Sequence, residues 1–245
     1  MRPPPHPADA SDSQVSEHTH EEALDPGFPG RRRVMIIGAG HFGKRAVRIL
    51  SRDSDRRIWM VDPAETEPVQ GSSVERILGD GIDFLVEWVP RLEAEVVVVP
   101  ALPIHLAATW LCRTPIPGMS LQPVAIPDVV PPALPHTWDG GFGTLLVSHV
   151  DFLCPDDCPE PEDGCTVTGE IRPPLYGVLR ELDVPGFRIH VIQSRQLAPG
   201  LGGYTVQDLR DLCDRVQSSG EGKWLIGTAC RCHGVVSALA VRPHR

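Results

Sequence analysis

The sequence predicts an α/β protein in which a Rossmann-like parallel sheet is followed by a C-terminal cysteine-rich α/β portion. Short apolar runs alternate with helical patterns between residues 34 and 112, as they do in successive βαβ units. Five of the seven cysteines form two clusters, at residues 154–165 and 230–232. The 26 prolines and 23 glycines indicate many loops and argue against a helical bundle.

Residues 1–30 predict a disordered acidic tail, because they contain prolines and acids without the apolar centre of a secretory signal. The missing signal predicts a cytoplasmic location, where cysteines stay reduced. No charge-free run reaches the roughly 20 apolar residues of a membrane helix, so no direct membrane insertion is expected. The formal net charge of −9 argues against a nucleic-acid partner. Assembly into a homo-oligomer stays open.

After the tail, a strand, a glycine turn and a helix are predicted in succession. Residues 34–37 form an apolar run typical of a strand buried on both faces. The glycines Gly38, Gly40 and Gly43 follow at once and lead into an amphipathic helical pattern. In a dinucleotide fingerprint the first glycine permits a tight turn, the second lets the backbone approach the pyrophosphate, and the third lets the helix pack closely. The pattern therefore predicts a dinucleotide site.

A second apolar strand ends at Asp62, 24 positions after Gly38, where this fold places an acid that binds the ribose. A carboxylate at this position repels a 2′-phosphate, so NAD is favoured over NADP. His41 and Phe42 lie within the turn, where helix N–H groups would meet the pyrophosphate, and solvent exposure is the alternative for His41. FAD, S-adenosylmethionine and a domain that has lost its ligand remain alternatives.

Proline density marks the later boundaries of the chain. After the tail the sequence divides into a dinucleotide-binding domain at residues 31–114, a Pro/Gly-rich connection at residues 115–143 and the cysteine-rich α/β portion at residues 144–245. Within the last portion, residues 197–204 predict a glycine-rich loop. Residues 223–228 and 235–241 predict a β-hairpin with cysteines at its tip.

Several of these motifs together resemble a known family. They are the strand and turn at residues 34–43, the Val61–Asp62 pair, the turn at residues 78–81 and the apolar strand at residues 93–99. Over about residues 33–111 the chain is similar to the N-terminal NAD-binding domain of the RCK/TrkA type, found in regulators of potassium channels and transporters. The resemblance implies NAD as ligand, with Asp62 on the adenosine ribose and Asp80 near the adenine. It also implies a regulatory subunit of potassium transport.

The cysteine clusters predict a metal centre. Cys154, Cys158 and Cys165 follow C-x3-C-x6-C spacing, and Cys230 and Cys232 lie at the tip of the predicted hairpin. Thiols from two loops can converge on one soft metal, so an iron–sulfur cluster or zinc is expected. Free thiols or a redox pair are the alternative, because the spacing matches no standard zinc or ferredoxin pattern.

Two functions follow from these features. The first is an NAD-binding regulatory or redox-sensing protein, in which the nucleotide and the cysteine centre report on redox state. The second is an NAD-dependent oxidoreductase that holds its substrate between the two parts of the chain. Enzymatic activity stays open at this stage, because no general acid or base for hydride chemistry can be named from the sequence.

Overall fold

The computed structural model describes residues 32–64 and 74–244. It has a mixed α/β fold with two six-stranded sheets, and each sheet combines parallel and antiparallel pairs. The α/β class expected from the sequence is confirmed at this level. The tail predicted at residues 1–30 lies outside the described residues. No helix in the described ranges is long and apolar enough to cross a membrane.

The described secondary structure comprises twelve strands, five α-helices and one 3₁₀ turn at Pro131–Ala133. The strands are Arg32–Ile37 (β1), Arg56–Asp62 (β2), Val74–Leu78 (β3), Val97–Pro100 (β4), Met119–Pro123 (β5), His136–Asp139 (β6), Thr144–Ser148 (β7), Phe187–Gln193 (β8), Arg195–Ala198 (β9), Leu201–Thr205 (β10), Gly222–Ala229 (β11) and His233–Pro243 (β12). The helices are His41–Leu50 (α1), Gly81–Trp88 (α2), Leu106–Arg113 (α3), Leu175–Arg180 (α4) and Val206–Ser219 (α5).

The first sheet has the strand order β3-β2-β1-β4-β10-β9. The pairs among β1, β2, β3 and β4 are parallel, whereas β10 runs antiparallel to β4. The apolar run at residues 34–37 is buried along β1, because helices cover both faces of a parallel sheet. The chain moves outward from β1 to β3 and then returns to the other side of β1, so the strand order reverses beside β1.

The second sheet has the order β6-β7-β12-β11-β8, and β5 also pairs with β12. The hairpin expected near the C-terminus is present as β11 and β12, with Ala229 opposite Gly234 at its tip. Cys230 and Cys232 lie in the connection between these strands. The hairpin therefore holds the second cysteine cluster at one end of this sheet.

One hydrophobic cluster contains buried side chains from both sheets, including Ile37 of β1 and Trp224 of β11. Trp110 of α3 and Leu212 of α5 belong to the same cluster. The first sheet also includes β9 and β10 from the C-terminal part of the chain. The two sheets are thus held against each other by a common core.

The prediction of a glycine-rich loop at residues 197–204 is wrong, because this segment forms half of β9 and most of β10. A glycine of this segment lets β10 lie close to a neighbouring strand. A Cβ placed on Gly203 would lie 2.8 Å from the carbonyl oxygen of Val98 in β4. The absence of a side chain therefore lets β10 join the first sheet beside β4.

Candidate functional site

The glycine turn lies at the carboxyl end of β1, where the strand order reverses. Gly38 has a φ of +109°, and a Cβ there would lie 2.7 Å from the carbonyl oxygen of Ala101. A Cβ on Gly43 would overlap the carbonyl oxygen of Gly38, so only glycine lets α1 sit this close to β1. A Cβ on Gly40 would meet no atom within 4 Å. Two glycines are thus required by packing, and the third borders open space.

The N-terminus of α1 faces this open space without a cap. Its N-cap residue is Gly40, no side chain accepts a hydrogen bond from its first turn, and that turn contains no acid. His41 and Phe42, both predicted site residues, are exposed there. Uncapped N–H groups and the helix dipole make such an end suited to an anion.

Asp62 lies at the end of β2, beside the glycine turn. One carboxylate oxygen accepts a hydrogen bond from the N–H of Ala39 at 2.7 Å, and the other accepts from the N–H of Ala64 at 2.9 Å. Each oxygen retains a second lone pair, which a ribose hydroxyl can use. The structure therefore places Asp62 against the glycine turn.

Asp80, the residue that the resemblance places near the adenine, has a structural role in this fold. It is the N-cap of α2, and its carboxylate accepts hydrogen bonds from the N–H groups of Ile82 at 2.8 Å and Asp83 at 3.0 Å. Short acids are favoured at N-caps for this reason. The position of Asp80 is accounted for by helix capping.

The second candidate region is the cysteine pocket, a small cavity between the irregular segment 150–172 and the β11–β12 tip. Four of the five predicted metal ligands line it: Cys154, Cys158, Cys165 and Cys232. All seven cysteines are free thiols. Within residues 32–64 and 74–244, no three Cys, His, Asp or Glu side chains are arranged as a ready metal-ligand set.

Cys230 is the predicted ligand that does not line the pocket, because its sulfur turns toward the backbone of its own loop. The N–H groups of Cys232 and His233 donate to this sulfur over 3.4 Å and 3.3 Å. Burial, with the carboxylate of Glu160, raises the pKa of the Cys230 thiol to about 12. Burial likewise raises the pKa of Cys232 to about 11.

Cys165 has the opposite electrostatic environment. The backbone N–H groups of Thr168 and Val167 donate to its sulfur and hold the pKa of its thiol below the ordinary value. N–H donors stabilise a thiolate because they place partial positive charge beside it. Cys165 is thus prepared to act as a thiolate nucleophile or as a metal ligand.

Arg45 of α1 links the two regions, and sequence reasoning missed it. Its guanidinium donates to the carbonyl oxygen of Gly200 at 3.1 Å and to the carbonyl oxygen of Asp156. The N–H of Gly200 donates in turn to the carbonyl oxygen of Cys158 at 2.9 Å. The helix that begins at the glycine turn therefore contacts the loop that carries the first cysteine cluster.

Comparison with known proteins adds two findings. The family model AF_1314_C, described as "Uncharacterized protein, C-terminal domain", matches residues 107–242. A protein of Archaeoglobus fulgidus, named "Uncharacterized protein", is 31% identical over 222 residues, which cover 84% of this chain and 98% of the relative. No solved structure matches.

These findings contradict the resemblance to the RCK/TrkA type, since the family matched is another one and no RCK/TrkA or Rossmann family was found. The physical reason is that a glycine fingerprint reports a backbone geometry shared by many dinucleotide-binding proteins. The expectation of a role in potassium transport rested on that resemblance alone.

Proposed function

We propose that this chain, which belongs to the AF_1314_C family, binds NAD through a Rossmann-like first sheet and responds to redox state through its cysteine pocket. One observation carries the proposal. At the glycine turn, Gly38 and Gly43 have no room for a side chain, whereas Gly40 borders empty space at an uncapped helix N-terminus. This combination is what a bound pyrophosphate requires.

The surrounding topology supports a dinucleotide rather than an isolated phosphate. The turn lies between β1 and β4, where the parallel strand order reverses, and ligands of open α/β sheets bind at such switch points. Asp62 stands on the adjacent strand and is hydrogen bonded to the turn itself. Its carboxylate suits a ribose diol and disfavours a 2′-phosphate, so NAD is the proposed ligand.

The cysteine pocket supports the redox part of the proposal. Four thiols share one small cavity, and N–H donors contact the sulfurs of Cys165 and Cys230. Such hydrogen bonds tune thiolates that bind an iron–sulfur cluster or zinc. The donor set therefore fits a soft metal, which would be held by Cys154, Cys158, Cys165 and Cys232 after the loop closes on it. A reversible disulfide is the alternative chemistry for the same thiols.

A second candidate function is an NAD-dependent oxidoreductase. It is favoured by a separate cavity at the carboxyl end of β4, next to the glycine turn. A substrate would have to bind there to meet the reactive end of a dinucleotide. Turnover of NADH with a substrate distinguishes this function from a sensor that only binds NADH.

Calorimetric titration of NADH tests the proposal. Gly40 has extended backbone angles, φ −66° and ψ −167°, that any residue adopts, so Gly40→Val is expected to fold normally. Its side chain fills the space of the pyrophosphate, and NADH binding is expected to be lost. The matched control is Gly177→Ala in α4, where a Cβ makes an ordinary contact and binding is expected to be unchanged. Undiminished binding by folded Gly40→Val would overturn the proposed site.

A metal assay addresses the cysteine pocket separately. Anaerobically prepared protein is expected to contain iron or zinc, and Cys165→Ser is expected to lower the metal content. Cys213→Ala is the control, because Cys213 packs against the core on α5, away from the pocket. Folded, NADH-binding protein without either metal would leave the disulfide chemistry as the account of these thiols.

A further inference from the structure

A surface cavity, here called the arginine cavity, lies between the C-terminal half of α1, the loop of the first cysteine cluster and the β9–β10 turn, and has a volume of about 490 Å³. Arg45, Arg48 and Arg52 line it, and Asp157 is the only acid among the described residues that do so. The net charge of the whole chain is −9. Positive charge gathered in one cavity of an acidic protein indicates a site for an anion.

The three arginines lie on one side of α1 because of their spacing. Positions 45, 48 and 52 are separated by three and four residues, the spacing that places side chains on one face of a helix. Arg52 follows the end of α1, and its N–H donates to the carbonyl oxygen of Ile49 at 3.4 Å, which continues the turn. The outer two are about 10 Å apart along the helix axis. Charges spread over this length favour a ligand with several negative charges over a single small ion.

No carboxylate of the described residues neutralises these arginines. Arg45 donates to carbonyl oxygens, Arg48 donates to the carbonyl oxygen of Lys44 at 3.3 Å, and none of the three forms an ion pair with a described side chain. Arg56, the next arginine along the chain, instead pairs with Asp53 at 3.0 Å. Like charges without a counter-charge repel one another, and an anion bound among them removes this repulsion.

The guanidinium of Arg45 is fixed at the arginine cavity before a ligand binds. It donates to the carbonyl oxygen of Gly200 at 3.1 Å and to that of Asp156. A guanidinium has five N–H donors, so others remain for a ligand. Arg48 and Arg52 are exposed and can close on the ligand from the solvent side. Guanidinium groups bind phosphate oxygens through paired hydrogen bonds, and a chain of phosphates supplies several such groups in a row.

We propose that the arginine cavity binds a polyphosphate, as an inorganic chain or as the phosphate chain of a nucleotide. The three guanidiniums contact the phosphates along the helix face. Ile49 and Pro199 give the cavity an apolar wall, which can contact the organic part of a nucleotide. The arginines lie toward the C-terminal end of α1, whereas the glycine turn lies at its N-terminal end. The proposal is therefore independent of the proposed NAD site.

The arginine cavity also includes part of the loop that carries the first cysteine cluster. Asp157, which lines the cavity, directly precedes Cys158, which lines the cysteine pocket. A bound polyphosphate therefore meets this loop, and it is expected to alter amide exchange in residues 154–158. An effect of polyphosphate on redox sensing by the cysteine pocket rests on the proposed function, whereas binding to the arginine cavity does not.

Calorimetric titration of the full chain with sodium tripolyphosphate, in magnesium-free buffer of low ionic strength, tests the proposal. Arg48→Met combined with Arg52→Met is expected to weaken binding at least about tenfold, because methionine keeps the apolar stem and loses the charged donors. The matched control combines Arg91→Met with Arg113→Met, two exposed arginines on α2 and α3, and is expected to bind like the wild type. Citrate, which carries less charge, is expected to bind more weakly than tripolyphosphate.

Asp157→Asn is expected to change the affinity in the opposite direction. It removes the only acid among the described residues of the arginine cavity, so tripolyphosphate is expected to bind about 2- to 5-fold more tightly. Asp163→Asn is the control, because it changes the net charge equally on the same loop but away from the cavity. An equal change in both variants would show that only the overall charge matters and would overturn the site.

Titration of Gly40→Val separates the arginine cavity from the glycine turn. This variant is expected to lose NADH and to keep tripolyphosphate. ATP titrated into the same variant identifies the source of the phosphates: tighter binding than tripolyphosphate assigns the cavity to a nucleotide, and equal or weaker binding assigns it to inorganic polyphosphate. Absence of tripolyphosphate binding, full affinity in the Arg48 and Arg52 double variant, or loss of tripolyphosphate in Gly40→Val would overturn the proposal.

Discussion

The glycine turn and the cysteine pocket differ in how their geometry is produced. At the turn, Gly38 and Gly43 each lie so close to a backbone carbonyl oxygen that a Cβ has no room. The site is therefore shaped before any ligand binds. In the cysteine pocket, the thiols lie on two loops far apart in sequence, and the first loop is held through contacts such as Arg45 to Asp156. A turn fixed by close backbone contacts is preorganised, whereas a site made from two loops depends on the contacts that hold those loops.

Within the cysteine clusters, the largest expected effect is a difference in thiol reactivity. After treatment with a chelator, Cys165 is expected to react with iodoacetamide at least about 30-fold faster than Cys230 at pH 7.5. Burial raises the pKa of Cys230 to about 12, whereas N–H donors hold the pKa of Cys165 below its ordinary value, so a much larger fraction of Cys165 is thiolate. The weaker nucleophilicity of the more acidic thiol offsets part of this excess.

Peptide mass spectrometry over a time course measures both rates. The pKa of Cys165 is lowered, so its rate is expected to rise at lower pH than that of an ordinary thiol and to level off as pH increases through the pKa. Cys165→Ser is expected to remove the fast phase. Equal labelling of Cys165 and Cys230 would show that the N–H donors do not stabilise a thiolate.

Within the glycine turn, two substitutions of equal size are expected to act differently. Gly43→Ala is expected to lower the free energy of unfolding by about 1–3 kcal/mol, because its Cβ overlaps the Gly38 carbonyl oxygen. Gly40→Ala is expected to change it by less than about 0.5 kcal/mol, because its Cβ meets nothing. Urea denaturation measures the free energy of unfolding of both variants. An equal decrease in the two would contradict the packing described for the turn.

The contact of Arg45 in α1 with the loop of the first cysteine cluster predicts a smaller effect, on the amide exchange of that loop. Arg45→Met is expected to speed amide exchange in residues 154–158, because the loop loses charge-assisted hydrogen bonds worth about 1.5–3 kcal/mol at most. The control is Arg48→Met, whose native guanidinium donates to the Lys44 carbonyl oxygen within the same helix. Hydrogen-exchange mass spectrometry follows the loop, and identical exchange in both variants would show that Arg45 does not restrain it.

The turn could be predicted from sequence because most of its geometry is local, although the room at Gly38 is also limited by Ala101 after β4. The buried strand at residues 34–37, the glycines and Asp62 all act within one βαβ segment. The β9–β10 hairpin could not, because Gly203 is explained only by the approach of Val98, about a hundred residues away. The family could not be identified either, since the fingerprint is common to many families.

The candidate site, like the fold, could be predicted from the sequence only in part. Asp62 is hydrogen bonded to the glycine turn, whereas Cys230 faces its own backbone and only the other four predicted ligands line the cysteine pocket. The cavity at the carboxyl end of β4 gave no sequence signal, because the His105 and Thr228 side chains that line it come from separate parts of the chain and neither belongs to a motif. Long-range packing alone brings these groups together.

We propose that the glycine turn and Asp62 together select NAD. The most direct measurement is the ratio of the dissociation constants for NADPH and NADH, obtained by calorimetry on the wild-type chain in one buffer. A carboxylate beside the ribose is expected to make NADPH bind at least about tenfold more weakly than NADH. Equal affinity for the two nucleotides would contradict the role of Asp62, and binding of neither would contradict the dinucleotide site itself.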